Sequence, residues 1–420
     1  MRRIAQLLAA SLLVLMAPAW AGIASAPGND LHVELVTYGP GRVYWERFGH
    51  DALILRDKQD GESVSFNYGV FDFDTPHFFL RFIRGHLLYS MAAEYAGPEI
   101  ASYIAAGRAV RVQSLSLTPQ QASDLRDFLL WNLEPQHRHY RYDYFTDNCT
   151  TRIRDALNLA LGAQLFSQTQ EIAGSRSYRS QAERMLAHDL PLMMLVDLGL
   201  GPYADRPLTR WQEAFLPMAL SHLVRHVQLH QANGRSHPLV SEDRLVYAGT
   251  VRPPPSSPPA LLDPLLAVGL AASMLVAWGR RERANALSRV LAAMIASGYA
   301  LLGGLAGLAM VALWTLTTHR AAWANQNLFL FNPALLLIVW PLAGAIGGHR
   351  NASYWARTLA LLLAALGVAG CLGHVAGLLA QRNAHWIALA LPMNLVLAYS
   401  LWVGVEQVHG VSSPKTLQQL

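Results

Sequence analysis

The sequence predicts an α+β domain followed by an all-α domain of about five transmembrane helices. Three observations carry this. The 420 residues are 52% hydrophobic and only 15% charged, with a mean hydropathy of +0.21, against about 25% charge in an ordinary soluble domain. That average hides a split: 27–250 mixes charge with aromatics, whereas 260–405 is largely Leu, Ala, Val and Gly. Between them lies RPPPSSPP at 252–259, a semi-rigid spacer because proline favours an extended chain and brings no amide hydrogen. The expected boundaries are therefore 27–250 for an exported domain, 251–260 for the linker, 261–408 for the membrane domain and 409–420 for a tail.

The N-terminus reads as a secretory signal peptide over 1–21. Arg2 and Arg3 precede an apolar run at 4–16, and Ala19-Trp20-Ala21 forms a small-residue cleavage site. Ala24-Ser25-Ala26 is the weaker cleavage choice because Pro27 follows it. An uncleaved anchor helix is the alternative, and either reading exports the next segment.

Apolar segments at 261–278, 290–316, 328–346, 356–380 and 386–405 are each near the length that crosses a bilayer core. With 27–250 outside, the inner loops and tail receive Arg280, Arg281, Arg283, Arg289, Arg350, Arg357 and Lys415, and the outer loops only Arg320 and Arg382. This asymmetry obeys the positive-inside rule. It places the chain in a bacterial inner membrane with its first domain in the periplasm. The net charge of +5 is dispersed, without the basic run that nucleic-acid binding requires, so no nucleic-acid partner is expected.

Within the exported domain, 32–36, 52–56 and 63–68 alternate as strands do. Residues 118–132 predict a helix with Thr118 as N-cap, Pro119 in the first turn, and Leu125, Phe128 and Leu129 on one face. A second helix is expected to begin near Cys149, burying Ile153, Ala156, Leu157 and Ala160.

The chain has two cysteines. Cys371 sits inside an apolar segment and reads as a small hydrophobe. Cys149 is the only cysteine of the exported domain, so it has no intramolecular disulfide partner in an oxidising compartment and is either buried or used. Asp147 or Asn148 is placed to cap the helix, which puts Cys149 in the first turn. There the free N–H groups and the positive dipole end favour a thiolate and an oxyanion formed beside it. A base is also needed. His50 follows Gly49 and enters an apolar strand, which would aim it at a facing helix start; His77, His86, His137 and His139 compete for the role.

Phe48-Gly49-His50-Asp51-Ala52-Leu53, Phe66-Asn67-Tyr68-Gly69-Val70-Phe71-Asp72-Phe73, Phe82-Ile83-Arg84-Gly85 and Asp147-Asn148-Cys149-Thr150-Thr151-Arg152-Ile153-Arg154-Asp155 occur in that order. Together they resemble the Lnb-type periplasmic domain, named for a bacterial lipoprotein N-acyltransferase. His319, the run from Trp323 to Leu328 and Asn332-Pro333 extend the resemblance into the membrane domain. The order of histidine and cysteine is also similar to the permuted papain-like, NlpC-type fold used by lecithin:retinol acyltransferase. These resemblances imply Cys149 as nucleophile and His50 as base, with Asn67 as the orienting group; a structural strand-end asparagine explains Asn67 equally well. They imply a phospholipid acyl donor, a lipoprotein acceptor and a thioester intermediate, with no cofactor or metal.

Arg84 is a candidate for a lipid phosphate, against the plainer reading of a solvated arginine. Asn148 is a further candidate substrate contact. Asn325 and Asn327 are candidates for a headgroup site, although anchoring by Trp323 and helix capping account for the same polar loop. Two other functions compete: a thiol hydrolase (phospholipase, thioesterase, peptidase or amidase), and a non-catalytic periplasmic sensor or scaffold.

Overall fold

The computed structural model describes residues 21–231, 234–281, 283–348 and 351–403. Residues 1–20 of the expected signal peptide and the expected 409–420 tail lie outside the described residues. The chain divides into two units, Met1–Tyr178 with Pro207–Ser256, and Arg179–Arg206 with Ser257–Leu420.

The first unit is built on an antiparallel sheet whose alternating side chains make two buried faces. Its principal strands are β1 (Leu31–Tyr38), β2 (His50–Asp57), β3 (Ser63–Val70), β4 (Leu88–Tyr95) and β5 (Val110–Leu115). β6 (His139–Arg141) and a long late strand, Val240–Tyr247, form the edges, giving the order β6-β4-β3-β2-β1-β5 and then the late strand. Val33, Leu35, Leu53, Leu55, Val64 and Phe66 face one core, and Val36, Tyr38, Ala52 and Ile54 the other. This follows from the two-residue period of a strand. The first face is covered by α1 (Pro119–Leu133) and α2 (Cys149–Ala160), and the second by the helix Ala96–Ala105. The short N-terminal helix Ala21–Ser25 contributes Ile23 to the first core.

α1 starts as the sequence leads one to expect: Thr118 and Gln121 form a reciprocal capping box, with Pro119 in the first turn. α2 likewise buries Ile153, Ala156, Leu157 and Ala160.

In the second unit, Leu262–Gly279, Ala286–Leu316, Tyr354–Val375 and Ala384–Trp402 are long and apolar enough to cross a membrane. The 31-residue helix buries Ala292, Ala296, Ala300, Gly303, Gly304 and Gly307, small residues that let neighbouring backbones approach. The third expected segment, 328–346, is shorter as a helix and covers only Leu335–Ile346. Asn332-Pro333 precedes it, and proline biases its predecessor away from helix.

The 27–250 stretch also differs from the expected single domain, because 179–206 groups with the helical unit. Arg179, 1% exposed, donates to Asp197 Oδ1 at 2.5 Å and to Asp205 Oδ1 at 2.9 Å. Asp197 Oδ2 accepts from His385 Nε2 at 2.6 Å and Trp386 Nε1 at 2.7 Å. Gln381 Nε2 donates to Leu200 O at 3.1 Å. These charges are paired inside the fold rather than solvated, which is the condition for burying them.

Candidate active site

The β2 entry is set by Gly49, whose φ is +84°; a Cβ there would lie 2.8 Å from Tyr38 O. The next residue, His50, belongs to the sheet face that carries Tyr38 and Ala52. Its ring stacks within 9° of parallel on Tyr38 and on Tyr103, each with centroids 6.2 Å away.

Asn67 lies on β3, one strand over, and its Oδ1 is 2.9 Å from His50 Nε2. The Asn67 amide donates to Glu99 Oε2 at 2.9 Å and Ser65 Oγ at 3.2 Å. An ionised carboxylate only accepts, so Glu99 fixes which end of the amide faces it. Asn67 therefore turns its carbonyl toward His50, and Nε2 carries the proton of that hydrogen bond. Nδ1 is the ring nitrogen left for the thiol.

The Cys149 end is built by a turn and a cap. Asp143 Oδ1 accepts from Phe145 N at 3.0 Å and Thr146 N at 2.9 Å. Asn148 then caps α2: its Oδ1 accepts from Thr151 N at 2.9 Å, and Asn148 N donates to Thr151 Oγ1 at 2.7 Å. Asn148 O takes Arg152 N at 3.0 Å. These bonds serve the third and fourth helical N–H groups and leave those of Cys149 and Thr150, the first two, outside the cap.

Cys149 is half-buried and free. Gly69, at φ +95°, borders it; a Cβ at 69 would sit 3.5 Å from Cys149 Cβ.

Burial pushes the Cys149 thiol up, but the charge of His50 and a hydrogen bond to it bring the thiol below its ordinary value. Burial likewise pulls the His50 imidazole down, yet the Cys149 charge and hydrogen bond, Asn67 and Glu99 carry it to about 9. The two shifts are one interaction seen from each partner, a thiolate–imidazolium pair. Asp51, fully buried, accepts from Thr37 Oγ1 at 2.7 Å, and burial raises its carboxyl to about 6.

The structure thus brings His50, Asn67 and Cys149 together. The competing histidines take other places: His77 precedes the helix Phe78–Arg84 without a side-chain bond to it, His86 follows that helix, His137 stacks on Trp131 at 4.0 Å, and His139 lies on edge strand β6. Arg84 ends the helix Phe78–Arg84 and is exposed. The Asn148 amide is occupied by Tyr144 O at 2.9 Å and Phe215 O at 3.0 Å, so it caps rather than faces solvent.

In the second unit, Asn325 and Asn327 are buried and donate to Leu198 O at 2.8 and 3.2 Å. Asn325 Oδ1 also caps the turn at Asn327 N. Glu99 and Asp51 are the supporting groups that sequence reading missed. Glu99 carries no local signal, since its partner lies 32 residues earlier on another element.

The family model for the Lnb N-terminal periplasmic domain matches residues 17–182, and the model for the Lnb transmembrane domain matches 259–407. No curated protein and no solved structure matches the chain.

Proposed function

The chain belongs to the Lnb-type family, as a membrane protein with a periplasmic domain, and on that premise we propose that it is a cysteine acyltransferase of the bacterial inner membrane. The observation that carries this is the sequence of contacts from Cys149 through His50 and Asn67 to Glu99. It supplies a nucleophile, a base and a fixed tautomer, as papain-like enzymes do. A histidine entering a strand ahead of a cysteine that opens a helix supports the permuted papain-like reading.

The Cys149 thiolate attacks the ester carbonyl of a phospholipid. The N–H groups of Cys149 and Thr150 are placed to receive the oxyanion. As the tetrahedral intermediate collapses, the C–O bond breaks and the His50 imidazolium gives its proton to the departing lysophospholipid oxygen. An amine then attacks the thioester. Neutral His50 takes the amine proton, the C–S bond breaks, and the thiolate–imidazolium pair returns.

The acceptor is the N-terminal amine of a lipoprotein, and both substrates reach the site from the membrane that anchors the chain. Arg84, exposed at the end of the helix Phe78–Arg84, is the residue we propose for the donor phosphate, which a planar guanidinium can bind through two hydrogen bonds. Asn148 contributes through the helix start it caps, and the Asn325 and Asn327 loop through the packing of its own unit. Mass spectrometry of lipoprotein N-termini tests the acceptor in a strain that depends on this protein for N-acylation. The expected result is an amide-linked acyl chain that disappears with Cys149→Ala. Free amines in the unmutated strain would exclude the amine acceptor and leave water in its place.

A further inference from the structure

The first unit exposes an aromatic surface that its own core does not need. Phe79 is 72% exposed, Phe73 56%, Tyr44 51%, and Trp45 and Leu80 each 49%. Rings join these residues into one face: Tyr44 meets Trp45 edge-on at 4.8 Å, Trp45 meets Phe73 at 6.2 Å, and Phe73 meets Phe78 at 4.9 Å beside Phe79. Soluble proteins rarely expose contiguous apolar patches of this kind without a partner.

Chemistry and position identify the partner. The helix Phe78–Arg84 bears Arg81 and Arg84 in its last turn and no acidic residue; Asp72 and Asp74 lie in the turn before it, where Asp72 Oδ1 holds Asp74 N at 2.8 Å. Aromatic side chains flanked by arginine suit the headgroup–acyl boundary of a bilayer, which offers apolar depth beneath phosphate. The same chain carries helices of membrane-spanning length, so a bilayer is the surface this domain lives beside.

The face is also continuous with the reactive cysteine. Phe78 stacks on Phe82, Phe82 meets Tyr144 edge-on at 6.3 Å, Tyr144 meets Tyr142 at 5.5 Å, and Tyr142 lies in the field of the Cys149 thiolate. Strand β3 links them as well, running from Asn67 through Gly69 beside Cys149 toward Phe71 and Phe73.

We propose that Tyr44, Trp45, Phe73, Phe79 and Leu80 form an interfacial face that seats this domain in a phospholipid surface and passes donor lipid along the aromatic path to Cys149. The seating stands on geometry alone; the delivery rests on the acyltransferase reading.

The test uses the full chain in nanodiscs of diether phospholipid, which has no ester to react. With p-benzoylphenylalanine in place of Phe79, illumination is expected to yield a protein–phospholipid adduct by mass. The same probe in place of Leu159, 60% exposed on α2 of the same unit, is expected to yield none. Absence of a lipid adduct at 79, an equal adduct at 159, or a crosslink to a second copy of the chain overturns the seating.

Delivery is read separately with the double variant Phe79→Ser and Leu80→Ser. Acylation of Cys149 from a long-chain ester phospholipid doped into the disc is expected to fall about tenfold or more. Acylation from monomeric dihexanoyl phosphatidylcholine in water is expected to stay within about twofold. Equal loss with both donors, or no loss with either, overturns delivery. A lipid adduct at 79 together with no acylation of the unmutated protein by either donor would sink the acyltransferase reading and leave the seating intact.

Discussion

Replacing His50 by alanine is expected to slow alkylation of Cys149 by iodoacetamide at pH 6 by about a hundredfold or more. The reason is the thiolate–imidazolium pair. In the native site the His50 charge and hydrogen bond outweigh burial and hold the thiol below its ordinary value. Without His50 the largest influence left is burial, which raises the thiol together with the nearby Asp51 carboxyl, and only the Thr150 hydroxyl opposes them. The thiol then titrates at or above the ordinary value of about 8.5, where less than about 1% is ionised at pH 6.

The sign of the pH dependence follows from His50, whose imidazole is raised to about 9. The imidazolium is present below that pH and is lost as pH rises through it. Alkylation of the native thiol should therefore persist into mildly acidic solution, while turnover, which needs the imidazolium as acid, should decline above about pH 9. Rates measured from pH 5 to 10 on native, His50→Ala and Asn67→Ala protein check this. An alkylation profile for native protein that rises only near pH 8.5, as for a free thiol, would contradict the pair.

The second large effect is on stability. Asp197→Ala is expected to destabilise the helical unit by about 3–5 kcal/mol, because it strips a buried arginine of one of its two carboxylates. Arg179 would keep Asp205 and the Leu200 carbonyl, and His385 and Trp386 would lose the oxygen they share. Replacing the arginine and both of its carboxylate partners by apolar residues of similar size, Arg179→Met with Asp197→Leu and Asp205→Leu, should cost less than the single change, since neither a guanidinium nor a carboxylate of this ion cluster is then left without its partner. Thermal unfolding of the full chain in detergent, followed for the single and triple variants, reads the difference. A triple variant less stable than Asp197→Ala would mean that the ion cluster itself contributes net stability.

That cluster also explains where sequence reading fell short. Arg179, Asp197 and Asp205 look like the charge of a soluble domain, and their partners at 381–386 are about 180 residues away. Local pattern cannot show that a charged segment is paired inside a helical unit. Strands β1, β2 and β3, by contrast, were legible because alternation is local, and the starts of α1 and α2 were legible because Thr118 and Asn148 satisfy N–H groups only three residues on.

The site divides the same way. Cys149 could be placed at a helix start, and Gly49 marked the turn before His50, but from residues alone His50 was one of five candidates. Family resemblance singled it out; the stacking of its ring and its bond to Asn67 are tertiary facts. Glu99 was invisible because its meaning depends on an amide from another element. The polar loop at 325–327 misled by composition: its amides hold the Leu198 carbonyl rather than open to solvent.

The central claim is that Cys149 takes an acyl group from phospholipid. Its most direct test is the intact mass of the full chain after incubation with an ester phospholipid in diether nanodiscs, quenched in acid. The expected result is one acyl chain on the peptide carrying Cys149, released by neutral hydroxylamine and absent in Cys149→Ala. Lysophospholipid produced at the same rate by native and Cys149→Ala protein, with Cys149 unmodified throughout, would contradict it.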